Sequence, residues 1–130
     1  MVKAVKFGGN LALSADGNTL AVGAGSEDNT GAGINPPATE RSLSFSSAGA
    51  AYVFARSNGT WSQQVYLKAS NARQNQNYGS SLALSADGNT LAIGALNDTD
   101  GGASGMPVIS TVNPKAVSYT HLTLPTNREV

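Results

Sequence analysis

The sequence predicts an all-β protein built from antiparallel strands, and three observations lead to this prediction. The segment LALSADGNTLA occurs at residues 11–21 and again at residues 82–92. On either side of its Asp-Gly turn, larger apolar residues alternate with small ones, which is the period of a β-strand. No window places apolar residues at i, i+3, i+4 and i+7 over three turns, so amphipathic helices are not expected.

The strands of one repeat can be justified in chain order. Residues 11–24 form a first hairpin around the turn ADGN (15–18), where glycine accepts a positive φ. The segment AAYVFAR (50–56) is rich in β-favouring residues and predicts a third strand. The dipeptide Asn58-Gly59 is a strong hairpin signal, so residues 60–69 form the fourth strand. In that strand we expect Trp61, Val65 and Leu67 to share one face.

Residues 7–24 and 78–95 differ at only four positions. A repeat with a fixed period indicates a solenoid, a propeller or an array, and four strands per period favour stacked blades of a partial β-propeller. A β-sandwich remains the alternative. We expect a first blade at 7–77, the start of a second at 78–100, and degenerate strands or a non-native tail at 101–130. We also expect the large apolar residues of the two copies to pack together: Leu11, Leu13, Leu20 and Val22 against Leu82, Leu84, Leu91 and Ile93.

Composition excludes several classes of function. Only 12% of the residues are charged, and Lys plus Arg equal Asp plus Glu at 8 each. Without a basic cluster the chain has no footprint for a phosphate backbone, so nucleic acid is not an expected partner. There is no cysteine for a disulfide framework. No apolar run is long enough for a membrane span, and the first ten residues lack the apolar segment of a signal peptide.

Short motifs at the ends of the first hairpin carry a family resemblance. Phe7-Gly8 opens the hairpin and Val22-Gly23-Ala24 closes it; Tyr78-Gly79 and Ile93-Gly94-Ala95 do the same in the second copy. This pattern resembles the FG-GAP, or integrin-α-like, propeller repeat, and the LSADGNTLAVGA core is similar to a bacterial branch found in large exported or surface proteins. The resemblance covers roughly residues 7–100. It implies an extracellular or cell-surface interaction module.

The end of the chain departs from this repeat. A closed propeller has about four to eight blades, so we interpret the chain as a fragment whose partners include the remaining blades of a parent chain. The segment MPVISTV is expected to be a degraded third strand, restricted to an edge by Pro107. The segment SYTHLTLPTNREV (118–130) resembles a translated adaptor sequence. We therefore exclude His121 from the functional residues.

Acidic residues supply the candidate metal ligands. Relatives that bind calcium have a long acidic loop where this chain has SADGNT, so we interpret Asp16 and Asp87 as turn residues. Calcium takes about six to eight oxygens. The segments SEDNTG (26–31) and LNDTDGG (96–102) recur at the same place in the repeat and offer a weak calcium site: Glu27, Asp28, Asp98 and Asp100. As acid–base pairs these residues are better interpreted as solvated loop charges, so we predict neither enzymatic activity nor a required cofactor.

The connection between the second and third strands, residues 25–48, is long for a hairpin loop. Long loops on a rigid scaffold commonly carry binding residues, and we expect Arg41 and Phe45 to contact a protein or glycan ligand. The predicted function is a non-enzymatic interaction module of an exported, adhesion-type protein. Two alternatives remain open: a non-catalytic propeller part of a larger extracellular enzyme, and a weak calcium-binding structural repeat.

Overall fold

The structure, a computed structural model, describes residues 7–29, 31–36, 47–69, 72, 74–95, 108–114 and 118–123; for 108–113 and 118–123 it gives the backbone alone. These residues contain β-strands and no helix, so the all-β prediction is confirmed. The strands are β1 Asn10–Leu13, β2 Thr19–Ala24, β3 Ala50–Ser57, β4 Thr60–Leu67, β5 Tyr78–Leu84, β6 Leu91–Ala95, β7 Val108–Asn113 and β8 Ser118–Thr123.

The first sheet has the strand order β1-β2-β3-β4, with every neighbour antiparallel. Its two hairpins lie where the sequence predicts them. Gly17 turns the first with φ +72°, and Asn58 and Gly59 turn the second with φ values of 52° and 78°. Two successive positive φ values match the twist of the flanking strands, which explains why Asn-Gly stands at this position.

The second sheet repeats this order as β5-β6-β7-β8. Its strand β7 pairs with β6 on one side and with β8 on the other, so the prediction of an edge strand is wrong. The reason is that β7 begins at Val108 and so does not include the proline that precedes it in the sequence. Strand β8 lies within the adaptor-like segment.

Each hairpin carries two different faces. We call the face with the large side chains the leucine face: Leu11, Leu13, Leu20 and Val22 in the first sheet, Leu82, Leu84, Leu91 and Ile93 in the second. We call the opposite one the alanine face: Ala12 and Ala21 in the first sheet, Ala83 and Ala92 in the second. The core forms between the alanine face of the first sheet and the leucine face of the second, together with β3 and β4: Ala21, Ala51, Val53, Val65, Leu67, Tyr78, Leu91 and Ile93.

The expected contact between the two leucine faces is therefore wrong. Leu91 and Ile93 are fully buried, whereas Leu11 is 63% exposed and Leu13 is 57% exposed. The two sheets stack in the same orientation, so the alanine face of the first sheet meets the leucine face of the second. Small residues on one side let the large residues of the other approach closely, as dense packing requires.

Glycines bring the two backbones into direct contact. Gly79 has φ +90°, and a Cβ there would overlap the carbonyl oxygen of Ala50. A Cβ at Gly23 would overlap the carbonyl oxygen of Gly79 in the same way. The Asn10 side-chain amide donates to the backbone oxygen of Ser80 across the same junction. Gly23-Ala24 of the first copy and Tyr78-Gly79 of the second therefore mark the sheet-to-sheet contact.

A β-bulge separates the two halves of β4. The pairing passes from Val53↔Val65 to Phe54↔Gln63, so one residue of β4 is skipped. Val65 and Leu67 lie in the core, but Trp61 lies on the opposite face beside Phe54. The prediction that all three share a face is wrong because the bulge shifts the alternation by one residue.

Candidate functional site

Two acidic residues near the start of the loop after β2 are buried. Glu27 is 2% exposed and Asp28 is 8% exposed, so the interpretation of this pair as solvated loop charges is wrong. Both residues make specific contacts with the blade. Buried carboxylates require such partners because desolvation disfavours the charged form.

Three donors converge on the Glu27 carboxylate: Tyr52 of β3, Tyr66 of β4, and Lys68, which directly follows β4. The Tyr52 hydroxyl donates to Oε2, and the Tyr66 hydroxyl donates to Oε1 at 2.5 Å. The Lys68 ammonium forms an ion pair with Oε1 at 3.2 Å, and its side chain is fully buried. We call these four residues the Glu27 cluster: Glu27, Tyr52, Tyr66 and Lys68.

The surroundings of this cluster shift the acidities of its members. Burial raises the pKa of Tyr52 and of Tyr66 well above the ordinary value, and the Glu27 carboxylate adds to both shifts. Burial lowers the pKa of Lys68, and the attraction of Glu27 opposes that shift. The phenols are therefore held neutral as hydrogen-bond donors to the carboxylate.

Asp28 fixes the return of the loop. Its Oδ1 accepts the Ser47 N–H at 2.8 Å, and the Gly49 N–H donates to the Glu27 carbonyl at 3.0 Å. The Asn77 N–H in turn donates to the Ser47 carbonyl at 2.9 Å. The two ends of the loop are thus joined to each other and to the segment that leads into β5.

The middle of the loop pairs with the outer edge of β4. The Asn35 N–H donates to the Tyr66 carbonyl at 2.7 Å, and the Asn35 side chain accepts the Tyr66 N–H at 2.8 Å. The Lys68 N–H donates to the Gly33 carbonyl at 2.9 Å, and Ile34 forms a bridge with Leu67. This pairing covers part of the sheet edge, which otherwise presents unpaired backbone groups.

Four of the six predicted site residues are not described by the structure. Arg41 and Phe45 of the predicted binding loop, and Asp98 and Asp100 of the predicted calcium site, lie outside the described residues. In the sequence, Arg41 and Phe45 stand between Asn35, which pairs with β4, and Ser47, which donates to Asp28.

The calcium site stays a prediction. A calcium ion at Glu27 would have to displace the Lys68 ammonium and two tyrosine hydroxyls from its carboxylate. Within the described residues, no three His, Cys, Asp or Glu side chains are grouped so that they could hold a metal ion. Calcium usually needs more than one carboxylate together with other oxygens.

Asp16 and Asp87 are turn residues, as predicted. Asp16 Oδ1 accepts the Ser14 hydroxyl at 2.7 Å and the Asn18 N–H at 2.9 Å. Asp87 repeats both bonds with Ser85 and Asn89 at the same distances. Each carboxylate therefore satisfies donors of its own turn.

Sequence reasoning missed three members of the Glu27 cluster. Tyr52 and Tyr66 look like ordinary β-favouring residues of a half-buried strand. Lys68 carries the one available signal, because a charged residue stands between Leu67 and Ala69 at the end of an apolar run. A lysine in such a position is seldom buried unless it is paired, but its partner is 41 residues away.

A protein-family model matches part of the chain. The model of the FG-GAP repeat matches residues 61–106, a range that contains β5, β6 and all of β4 except its first residue. A search of curated proteins finds no significant match. Within the described residues, no helix has the length and apolar character needed to cross a membrane. FG-GAP repeats are structural repeats of propeller-type interaction modules. The family match agrees with the Phe/Tyr-Gly and Gly-Ala motifs, and residues 61–106 are similar to the FG-GAP repeat.

Proposed function

We propose that this chain is a non-enzymatic interaction module of an exported, adhesion-type β-propeller protein, which binds a protein or glycan ligand through the loop at residues 25–48. One observation carries the proposal: the base of this loop is fixed to the blade. Buried Glu27 and Asp28 hold its first residues, Asn35 pairs with β4, and Ser47 closes it. A loop with a fixed base presents its remaining residues with little loss of conformational entropy on binding.

Arg41 and Phe45 are the ligand-contacting residues in this proposal. Aromatic and arginine side chains are enriched among residues that dominate binding energy. In the sequence both stand between Asn35 and Ser47, which hydrogen bonds hold at the two ends of this stretch. The turns at Asp16 and Asn58 join the opposite ends of the strands. This separation supplies matched control positions.

The parent protein is proposed to be exported and to act outside the cell or at its surface, where further FG-GAP blades complete the propeller. The support comes from the FG-GAP match together with the bacterial-type LSADGNTLAVGA core. The Glu27 cluster has no role in chemistry here. Its carboxylate is engaged by three donors of its own chain, so it acts as a structural anchor of the loop.

The test measures binding of the purified chain to an array of glycans and extracellular-matrix proteins. We expect a Kd for at least one ligand that rises at least tenfold in the Arg41→Ala, Phe45→Ala double variant. The control variant Asn58→Asp, at the turn on the opposite side, should keep the wild-type Kd. Binding that is insensitive to the double variant but lost in the control would contradict the proposal, as would the absence of any ligand on the array.

A further inference from the structure

Equivalent residues of the two copies differ in exposure. Leu91 of the second sheet is fully buried, whereas its equivalent Leu20 is half-buried. Val22 and its equivalent Ile93 are both buried. Leu11 and Leu13 of the first sheet are more than half exposed, while their equivalents Leu82 and Leu84 pack against the core. The first sheet therefore has a leucine face that is open at Leu11 and Leu13. Its four residues differ from those of the covered leucine face in the second sheet only at Val22, where the second copy has Ile93.

The alanine faces show the reverse. Ala21 is fully buried, and Ala12 packs against the core. Ala83 is exposed, and Ala92 is only half-buried. A shallow apolar groove of about 220 Å³ lies at this part of the second sheet and includes Ala83, Ala92 and Gly94 in its lining. The described residues thus present two open faces of different kinds, the leucine face of the first sheet and the alanine face of the second.

Glycine positions at the junction repeat the same asymmetry. Gly8 and Gly79 are equivalent and have nearly the same φ, +86° and +90°. The space next to Gly79 is filled by the Ala50 backbone of the first sheet, whereas among the described residues nothing lies within 4 Å of the Cβ position at Gly8. Gly8 therefore keeps the backbone shape of a contact without the neighbour that occupies it.

Aromatic side chains extend the open leucine face. Phe7 packs edge-on against Tyr52 and Phe54, and Phe7 is 55% exposed while Trp61 is 42% exposed. An apolar groove of about 340 Å³ runs over this face: Phe7, Gly8, Leu11, Leu20, Val22, Phe54 and Trp61. A contiguous exposed apolar patch of this kind marks an interaction surface.

We propose that, in solutions of this chain without further blades, the occupant of this groove is a second copy of the chain, whose open alanine face docks on the open leucine face. The contact already present between the two sheets is the template, because it joins the same two kinds of face in nearly the same sequence. The two surfaces of the new contact differ, so it is heterologous, and each added copy exposes the same pair of faces again. Such contacts close into rings or continue as filaments.

The test uses three substitutions that introduce the same charge at exposed positions. Leu11→Glu blocks the leucine face, Ala83→Glu blocks the alanine face, and Gln64→Glu on β4 is the control. Because all three side chains are exposed, each variant should fold, which circular dichroism checks. Mass is measured by light scattering and analytical ultracentrifugation over a micromolar concentration series.

The wild-type chain and Gln64→Glu should both reach at least twice the 13.2 kDa of one chain as concentration rises. Leu11→Glu alone and Ala83→Glu alone should stay monomeric. Their mixture should form a one-to-one dimer, because each variant keeps the face that the other lacks. This restoration by mixing is the signature of a heterologous contact.

Three other results would overturn the proposal. A dimer that survives Ala83→Glu but not Leu11→Glu would mean that two leucine faces pack together. A mixture that stays monomeric would exclude head-to-tail docking. A wild-type chain that is monomeric at every concentration would leave the groove to blades outside this chain, without affecting the binding role proposed for the loop.

Discussion

At the scale of single residues, the Glu27 cluster decides how the loop after β2 is held. One carboxylate accepts from two phenols of two different strands and from the ammonium of Lys68, just after β4. A buried ion pair gains little over apolar packing, but removing one partner leaves an uncompensated charge. The cluster therefore holds the loop after β2 in place more than it adds to the free energy of unfolding.

The first prediction concerns this pair. Glu27→Gln leaves the Lys68 ammonium buried without its counter-charge and should lower the free energy of unfolding by about 3 kcal/mol. The double variant Glu27→Gln, Lys68→Met should lose less than the sum of the two single variants, since neither charge then remains. Denaturant unfolding of all four proteins measures the coupling; additive losses would mean that the two charges do not interact.

The second prediction concerns alkaline pH. The pKa of Tyr52 and Tyr66 is raised in the folded chain, so the unfolded chain loses these protons first, from about the ordinary value of 10.0. The stabilisation is complete below that pH and is lost as pH rises towards the folded pKa. Below pH 10.5 the lowered pKa of Lys68 has the opposite effect on stability. The unfolded chain binds more protons there, so the free energy of unfolding increases as the pH rises.

Absorbance at 295 nm should therefore show two tyrosines that ionise only when the chain unfolds, as followed by circular dichroism at the same pH. Tyr52→Phe, Tyr66→Phe removes this delayed step. Ionisation of all tyrosines near pH 10 in a chain that stays folded would show that the phenols are not held by the carboxylate.

At the scale of elements, the hairpin is the unit that repeats, and the turn and the glycines give it its shape. Both copies close with the same Asp-centred turn. The turns also touch each other, since the Ala15 N–H donates to the Ala86 carbonyl at 2.9 Å. Neighbouring hairpins therefore stack in register at the turn and at the glycines on the other end.

The third prediction compares two glycines with the same backbone conformation. Gly8→Ala adds only the cost of a positive φ, about 1–2 kcal/mol. Gly79→Ala adds that cost and also forces a Cβ into the Ala50 carbonyl, so it should destabilise the chain by clearly more. Thermal unfolding in dilute solution, where copies do not associate, measures both; equal losses would mean that the sheets do not meet at Gly79.

The fourth prediction is that calcium does not stabilise the chain through the turns. Asp16→Ala and Asp87→Ala should each cost about 0.5–1.5 kcal/mol from lost hydrogen bonds, with or without the ion. Melts in millimolar calcium and in chelator test this. A shift of several degrees that disappears in these variants would reverse the interpretation, and one that disappears only with Asp28 or Asp98 changes would place calcium in the loops after the second strand.

At the scale of the whole molecule, each sheet covers one face and leaves another open. Leu11, Leu13, Phe7 and Trp61 all remain exposed on the first sheet. Repeat proteins gain stability from contacts between neighbouring units, and about three units are usually needed. Two sheets supply only one such contact.

The fifth prediction follows from this count of contacts. The chain should unfold with a free energy below about 5 kcal/mol, the lower end for ordinary domains, and it should associate as concentration rises. Residues 1–116 should be weaker still, because this truncation removes β8 and leaves β7 at an open edge. Size-exclusion chromatography with denaturant unfolding is the measurement; a monodisperse monomer above that stability would show a self-sufficient domain.

Much of the local structure follows from sequence alone, because it depends on neighbours along the chain. Alternation places β1 to β6, Asn58-Gly59 requires a two-residue turn, and Asp16 and Asp87 satisfy donors two residues away. The repeat itself indicates that the same unit is built twice. These features need no knowledge of what lies across the sheet.

Tertiary structure alone decided which surfaces meet. Alternation shows that Leu11 and Ala12 lie on opposite faces, but it does not say which face receives the neighbour, and the expected leucine-to-leucine contact is wrong for that reason. The burial of Glu27 depends on Lys68, which follows 41 residues later. The bulge that turns Trp61 outward depends on the register between β3 and β4. Each outcome is set by a contact between distant segments, which spacing along the chain does not encode.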